Sequence, residues 1–565
     1  MTVRKDSAPH GEGFRQAMAW LHTWAGLIMG WILFAMFLTG TLAFFRPEMT
    51  TWMRPELPAQ HRVVAADHAA DMAQRYLAQH APDATRWYID LPSARAPYLS
   101  VLYQVPKPAP GTRGFKRVTL DPQTGQEVTS RETRGGDFLY RFHFELEIGP
   151  PWGRWLASIA GMFMLIAILS GIVTHKKIFK DFFTFRPAKG GQRAWMDGHN
   201  ALSVLGLPFH LMITFSGLLI FVAMLLPAGI NAAYDYPRQY SEERFPGLAP
   251  QKAAPGEAPL LPLGKFVTAA QSLWQGGIAG AVIVANPGKP NAIVSVQRSS
   301  EEKVSYARNP PSVQFDGVTG KLLKHHEDNG PAVTAADTVI GLHLGFFAQP
   351  VLRWLYFIVS LAGTAMVGTG LVLWVVKRRQ KSGAAKSQQL SLRLVDGLNA
   401  GSIAGFCLAI VVYFCANRLL PVDLPGRALW ETRAFFMVWG LSYLYAFVFP
   451  RRQWRDLWAL AAVGALALPA LNAMTTSRHL AASLADGDWA MAGFDLTAWA
   501  AAALMGWIAY KAHRAYAGMP KASRTRAAPS STTATRVHER HEGTSTVRSP
   551  VVVTEASCTS NEVTS

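Results

Sequence analysis

Charge is what this chain lacks most. Asp, Glu, Lys and Arg make up 16% of its 565 residues, against about a quarter in ordinary soluble domains, so a large share of it must lie in something other than water. Cysteine is nearly absent as well: Cys407 and Cys415 fall in an apolar run and Cys558 near the C-terminus. That excludes a disulfide framework in the loops and a thiolate metal centre. No GxGxxG follows a strand and opens a helix, so the flavin and nicotinamide fingerprint is missing. No carboxylate cluster interrupts the apolar runs.

What the chain does have is runs of about 20 apolar residues, the length of a membrane-spanning helix. Eight occur, over 20–45, 155–175, 199–227, 351–376, 399–417, 432–450, 456–475 and 490–511. The net charge of +18 would suit nucleic acid, but its distribution argues against such a partner. Basic residues cluster after the second run (Lys176, Lys177, Lys180, Arg186, Lys189, Arg193) and the fourth (Lys377, Arg378, Arg379, Lys381). They cluster again after the sixth (Arg451, Arg452, Arg455) and the eighth (Lys511, Arg514, Lys521, Arg524). If the runs alternate, these loops lie on one side with Arg4, Lys5 and Arg15 of the N-terminus, the positive-inside pattern of cytoplasmic loops. The partner implied is membrane lipid, with both termini cytoplasmic. The first run is too long for a signal peptide and no small-residue cleavage site follows Phe44–Phe45–Arg46–Pro47, so it reads as a retained anchor.

Two long segments, 46–150 and 229–345, face the other side. Each opens with a helical stretch, His61 to His80 or Leu263 to Leu273. Strand-like runs follow, Trp87–Ile89 and Tyr98–Leu102 in one, Ala281–Val284 and Ala292–Val296 in the other. Each then reaches an Asp-to-Gly turn, Asp121–Gly125 or Asp316–Gly320. The apolar runs repeat in step. His22 precedes Gly40 of Thr39–Gly40 by 18 residues, as His199 precedes Gly217 of Ser216–Gly217. Arg154 precedes Gly171 of Ser170–Gly171 by 17 residues, as Arg353 precedes Gly370 of Thr369–Gly370. A helix–domain–helix unit is therefore present twice in one orientation, related by an axis along the membrane normal. The Ser/Thr–Gly pairs mark either close helix packing or room for a flat macrocycle.

The repeat divides the chain into 1–45 (N-terminus and first span), the outward segment 46–150, spans two and three over 151–228, the outward segment 229–345, and the fourth span over 346–380. The block 381–515 adds four runs without clear chemistry; Arg418, Trp430 and Arg433 read as interfacial anchors. The tail 516–565 has too few apolar residues to bury and is expected to be disordered.

Ionisable groups at membrane depth are costly and usually functional. Six histidines stand out: His22 and His199 open spans one and three, His175 closes span two, His210 lies inside span three, and His143 and His343 lie just outside spans two and four. In a straight helix His199 and His210, 11 apart, would lie about 20° from one direction and about 16 Å apart along the axis, on one face at two depths. The repeat makes His22 equivalent to His199, and His143 to His343. Bis-histidine iron needs two imidazoles facing each other, and the repeat axis offers such pairs: it suggests His143 with His343 on the outer side and leaves a choice among His22, His175, His199 and His210 on the inner one. His175 has Trp374 at its equivalent position, and His210 has no equivalent histidine. Taken singly, each is also explained as an interfacial polar residue.

The motifs Leu21-His22-Thr23-Trp24-Ala25-Gly26-Leu27, Gly171 to Phe183 with His175 followed by Lys176-Lys177, Leu207-Pro208-Phe209-His210-Leu211-Met212-Ile213-Thr214, and Leu342-His343 through Trp374 resemble the PepSY-associated transmembrane family, also called iron-regulated membrane proteins. The resemblance covers residues 15 to about 380. It implies a membrane all-α bundle of about eight transmembrane helices with two small α+β, PepSY-like extracytoplasmic domains. It also implies a place in the bacterial inner membrane and, as in some members, haem-dependent reduction of periplasmic ferric siderophores for iron uptake. The ligand candidates it carries over are His22, His143, His175, His199, His210 and His343, holding two b-type haems, one near each face. Electrons would come from a quinone or a cytoplasmic reductase. Hard oxygen ligands hold Fe(III) more tightly than Fe(II), so one-electron reduction releases the metal. Two rivals predict no redox chemistry: a PepSY-domain protein that binds a periplasmic partner along a sheet edge, and an accessory to siderophore transport.

Overall fold

The computed structural model describes residues 10–58, 64–105, 114–175, 191–235, 239–240, 252–327, 330–381 and 386–517. The expected disordered tail beyond residue 517 and most of the basic loop after the second run lie outside the described residues.

The first apolar run forms α1 (His10–Ala43), followed by the short α2 (Arg46–Met53) and by α3 (Ala66–His80). Three strands come next, β1 (Arg86–Asp90), β2 (Leu99–Gln104) and β3 (Phe115–Leu120). Then follow α4 (Gly136–Glu145) and the second span α5 (Trp152–Thr174). The second unit repeats the order with α6 (Gly191–Leu205), α7 (Leu207–Ile220), α8 (Leu263–Leu273), β4 (Ala279–Ala285), β5 (Ile293–Arg298), β6 (Ser312–Asp316) and β7 (Leu322–His326). It ends with α9 (Gly330–Leu344) and the fourth span α10 (Pro350–Lys381). The C-terminal block contains α11 (Lys386–Ala400), a π-helical turn at Gly401–Gly405, α12 (Phe406–Leu419), α13 (Arg427–Val448), α14 (Gln453–Thr475) and α15 (Trp489–Ala517).

Among the described residues six helices are long and apolar enough to cross a membrane, over Gly13–Ala43, Trp152–Thr174, Pro350–Gln380, Ser387–Leu419, Gln453–Thr475 and Trp489–Ala515. This is a multi-pass membrane protein. Two of the eight expected spans differ from the rest. The third is not one straight helix: α6 and α7 meet at 68°, and counting the pair as one span brings the total to seven. The cause is Gly206–Leu207–Pro208, because Gly206 leaves the helical conformation and Pro208 starts a new helix. The sixth, within α13, is a continuous helix of 22 residues. Arg427, Glu431 and Arg433 in its first turns, with Trp and Tyr further on, make it less apolar than the six.

The two outward segments form one seven-stranded antiparallel sheet of order β3-β2-β1-β4-β5-β6-β7. This corrects the expectation of two separate α+β domains. The innermost strands pair across the repeat, Trp87 opposite Val284 and Ile89 opposite Val282. Alternate residues of both halves then fill one core under α3 and α8, including Trp87, Val101, Val284 and Phe315, against Phe266 of α8. The helices are locked together by Asp71 and Gln74 of α3, whose side chains accept from the N–H groups of Gly264 and Leu263 at the start of α8 (2.7 and 2.8 Å). The two matching turns are alike in detail. Asp121 accepts from the N–H groups of Gln123 and Thr124, and Asp316 from those of Val318 and Thr319. Gly125 and Gly320 close them at φ +71° and +78°. The strands β3, β6 and β7 went unread in the sequence, because their outward residues break the apolar runs.

Candidate functional site

Four of the six histidines are brought together in two pairs, at opposite ends of the bundle formed by α1, α5, α6, α7 and α10. His143 and His343 face each other on the sheet side with ring centres 6.0 Å apart, and His22 and His199 do so on the far side at 6.2 Å. Each pair joins residues equivalent in the repeat. On α1 the two sites are separated by the 14 residues from His22 to Met36, or about 21 Å of helix.

All four rings are held in one way. Each Nδ1–H donates to a backbone carbonyl of a neighbouring span: His22 to Ala167 (2.8 Å), His199 to Met366 (2.9 Å), His143 to Met36 (2.7 Å) and His343 to Ile213 (2.8 Å). Each carbonyl belongs to the residue four before the glycine of a Ser/Thr–Gly pair: Gly171, Gly370, Gly40 and Gly217. A Cβ on those glycines would reach the ring at 3.2, 3.1, 2.7 and 2.9 Å. The glycine gives the ring its seat. The preceding hydroxyl donates to the same helix turn, Thr39 to Ala35, Ser170 to Ile166, Ser216 to Met212 and Thr369 to Met366. At His343 and His199 that hydroxyl also comes within 3.1 and 3.4 Å of Nδ1.

This seat fixes the chemistry. A carbonyl oxygen only accepts, so the proton sits on Nδ1 and the lone pair on Nε2 is free to ligate. An Nδ1–H bond to a backbone carbonyl is the usual support behind a metal-bound imidazole. Among the described residues no group of three or more His, Cys, Asp or Glu is placed to hold a bare metal ion. A pair of imidazoles suits instead a cofactor that brings its own equatorial ligands.

The other two candidates, His175 and His210, lie outside these two facing pairs. His175 ends α5 within electrostatic range of both His22 and His199. His210 is buried between Gly206 and Gly363, with Nε2 3.4 Å from the Val359 carbonyl and Nδ1 without a partner. The bend at Gly206 removes the straight-helix geometry that placed His199 and His210 on one face, so the stacked arrangement is corrected. What the sequence reading missed is the carbonyl seat. Its trace was the fixed offset of the Ser/Thr–Gly pairs, which could equally mean plain helix packing.

Arg418 is corrected as well. It is no interfacial anchor but a buried residue of α12, stacked 3.8 Å over the Trp52 ring and donating to Asn472. Trp430 stays half-exposed under Arg433.

The profile of the PepSY-associated TM region matches residues 19–377, both repeats together. The chain belongs to this family. As a PepSY-associated membrane protein it is also similar to an uncharacterised protein of Pseudomonas aeruginosa, with 25% identity over 376 residues, covering 64% of this chain and 91% of the relative. The family region ends at the fourth span, so the C-terminal block of this PepSY-associated protein lies beyond it.

Proposed function

We propose that this protein is a haem-dependent oxidoreductase of the bacterial inner membrane that carries electrons from a cytoplasmic-side or quinol donor to ferric iron, as ferric siderophore, on the sheet side. The observation that carries this reading is the fourfold His–carbonyl–glycine seat, arranged as two facing pairs. The ring centres of each pair lie 6.0 and 6.2 Å apart, near enough for both imidazoles to reach one iron. His143 with His343, and His22 with His199, would hold one b-type haem each. When bound, haem would supply a one-electron iron couple tuned by its histidine ligands and surroundings.

The chain's own contribution is orientation and insulation. The carbonyl seats hold each Nε2 in its ligating tautomer, and the glycines let the imidazoles lie against the helices. Apolar residues between the two sites, among them Leu33, Met164 and Met366, keep water and protons away. The basic ends of α10 and α15 lie opposite the sheet, which supports a periplasmic sheet by the positive-inside rule.

The test is a reduced-minus-oxidised optical spectrum of the purified protein, followed by addition of a ferric siderophore. Sharp α and Soret bands that the siderophore bleaches are expected. His143→Ala or His343→Ala should remove one haem, and His22→Ala or His199→Ala the other. The outer edge of β7, the last strand of the sheet among the described residues, favours a second reading, a strand-binding module without redox activity. A featureless spectrum from haem-supplemented cells, with the four variants behaving as wild type, would establish that instead.

A further inference from the structure

The two sheet-side histidines sit on equivalent short helices, yet those helices are supported differently. His343 lies on α9, which packs on α7 and on the β5–β6 connection; a Cβ on Gly341 would fall 1.8 Å from the Val304 carbonyl oxygen. His143 lies on α4, a helix of 10 residues. So short a helix is marginal alone and takes its position from what it packs against. Here the backbone packs on α1, α2 and α5, while the rings of Phe138 and Phe142 face the C-terminal block. Phe138 meets Tyr413 at 4.8 Å and Phe435 at 5.1 Å between ring centres. Phe142, next to His143, meets Phe406 at 5.4 Å and Trp439 at 6.0 Å.

The entry to α4 is gripped by the same block. Tyr413 Oη donates to the Gly135 carbonyl (2.9 Å), Arg427 to the Glu132 carbonyl (3.2 Å), and Thr133 to the Glu431 carboxylate. Arg427 and Glu431 are wholly buried and paired with each other. Such a pair gives no credit for stability by its mere presence, but it fixes geometry, since neither charge can move without losing its partner.

We infer that the C-terminal helices are a positioning device for His143. Through α4 they set how its imidazole meets that of His343, and thereby tune the sheet-side cofactor. This rests on the haem reading above, and it assigns a role to a block beyond the family region. The far-side pair takes its seats from α5 and α10; the block meets α1 and α10 elsewhere, at Asn399, which accepts from Trp31 and donates to the Leu371 carbonyl, so a change at Phe406 and Phe435 reaches α4 and not those seats.

The experiment perturbs the block and reads both sites in the full-length protein. Phe406→Leu/Phe435→Leu removes ring contacts to α4 from the block's side. Val463→Ala, on the exposed face of α14, is the control. Tyr413→Phe is the mild companion should the double variant not fold. In a redox titration the component lost in His143→Ala should shift by about tenfold in its reduction equilibrium, or about 59 mV for one electron, and the other should stay put. Phe406→Met/Phe435→Met, which refills the volume, should restore it.

A second readout needs no haem. Spin labels at Tyr140 and Ala335 should give a broader α4–α9 distance distribution in the Leu variant than in wild type. Equal shifts at both sites, or an unchanged distance distribution in a folded variant, would overturn the inference. Wild-type protein without haem would sink the functional reading, while the spin-label distances would still decide the positioning role.

Discussion

The glycine seats make a graded prediction. Gly40→Ala places a methyl group 2.7 Å from Nδ1 of His143, where ordinary van der Waals contact is about 3.5 Å. The ring must retreat by about 0.8 Å, and its hydrogen bond to the Met36 carbonyl, of about 1 kcal/mol net, is lost with it. Helix propensity pulls the other way: Ala in place of Gly stabilises α1 by about 1 kcal/mol. The variant should therefore fold as well as wild type while its sheet-side ligand is misplaced. At Gly171 the equivalent methyl would lie 3.2 Å from His22, a retreat of only about 0.3 Å that small adjustments absorb. Gly40→Ala should thus lose the sheet-side haem and lower ferric-chelate reduction about 100-fold, whereas Gly171→Ala should keep both haems. The assay is pyridine haemochrome content per protein together with the difference spectrum, with thermal stability as a check on folding. Full haem content and normal spectra in Gly40→Ala, or greater damage from Gly171→Ala, would refute the seat.

Other outcomes follow from the same geometry. His210→Leu should leave haem content unchanged, unlike the four paired histidines, because His210 faces no second imidazole; loss of a haem band in that variant would return it to the ligand set. Glu48 joins Arg95 of the sheet connection to Arg353 of α10, at 2.9 and 3.1 Å. Glu48→Gln should lower stability by about 1–3 kcal/mol and loosen the sheet from the bundle, seen as faster proteolysis of residues 64–135 at unchanged haem content. Asp316 is held below the usual carboxylate range by the Thr319 and Val318 N–H groups of its turn. Its folded pKa is depressed, so the stability it contributes is present above the unfolded value of about 3.9 and is lost as pH falls through the folded one. Denaturant midpoints measured from pH 6 to pH 3 should drop less steeply in Asp316→Asn than in wild type.

Much of this architecture was legible in the residues, and what was not has physical causes. Apolar runs, basic loop ends and matched offsets gave the membrane class, the repeat and the pairing of His143 with His343, because these depend on local composition and sequence distance; for the other end they left a choice among His22, His175, His199 and His210. The break at Gly206 was passed over because an apolar composition on both sides hides one glycine and one proline. The union of the outward segments into one sheet was not readable either: β1 and β4 are both short apolar strands, and nothing local says whether such a strand is an edge or a centre. The carbonyl seats lay deeper still. Main-chain acceptors carry no sequence signature, so Ser/Thr–Gly at fixed spacing pointed to a close approach without saying what approached. Arg418 was misread because a cation near a helix end looks alike whether it meets lipid headgroups or a buried Trp52.

The seam between β1 and β4 has a consequence for how such a chain can be divided. Antiparallel pairing of two equivalent strands is what a two-fold symmetric dimer would build from one half-length unit, with the same edge offered by both copies. A single unit of span, half-sheet and span would leave that edge bare and find its own copy. The present chain holds that pairing within one molecule, so its two halves need not be alike: α4 meets the C-terminal helices, while α9 rests on the sheet connection at Val304.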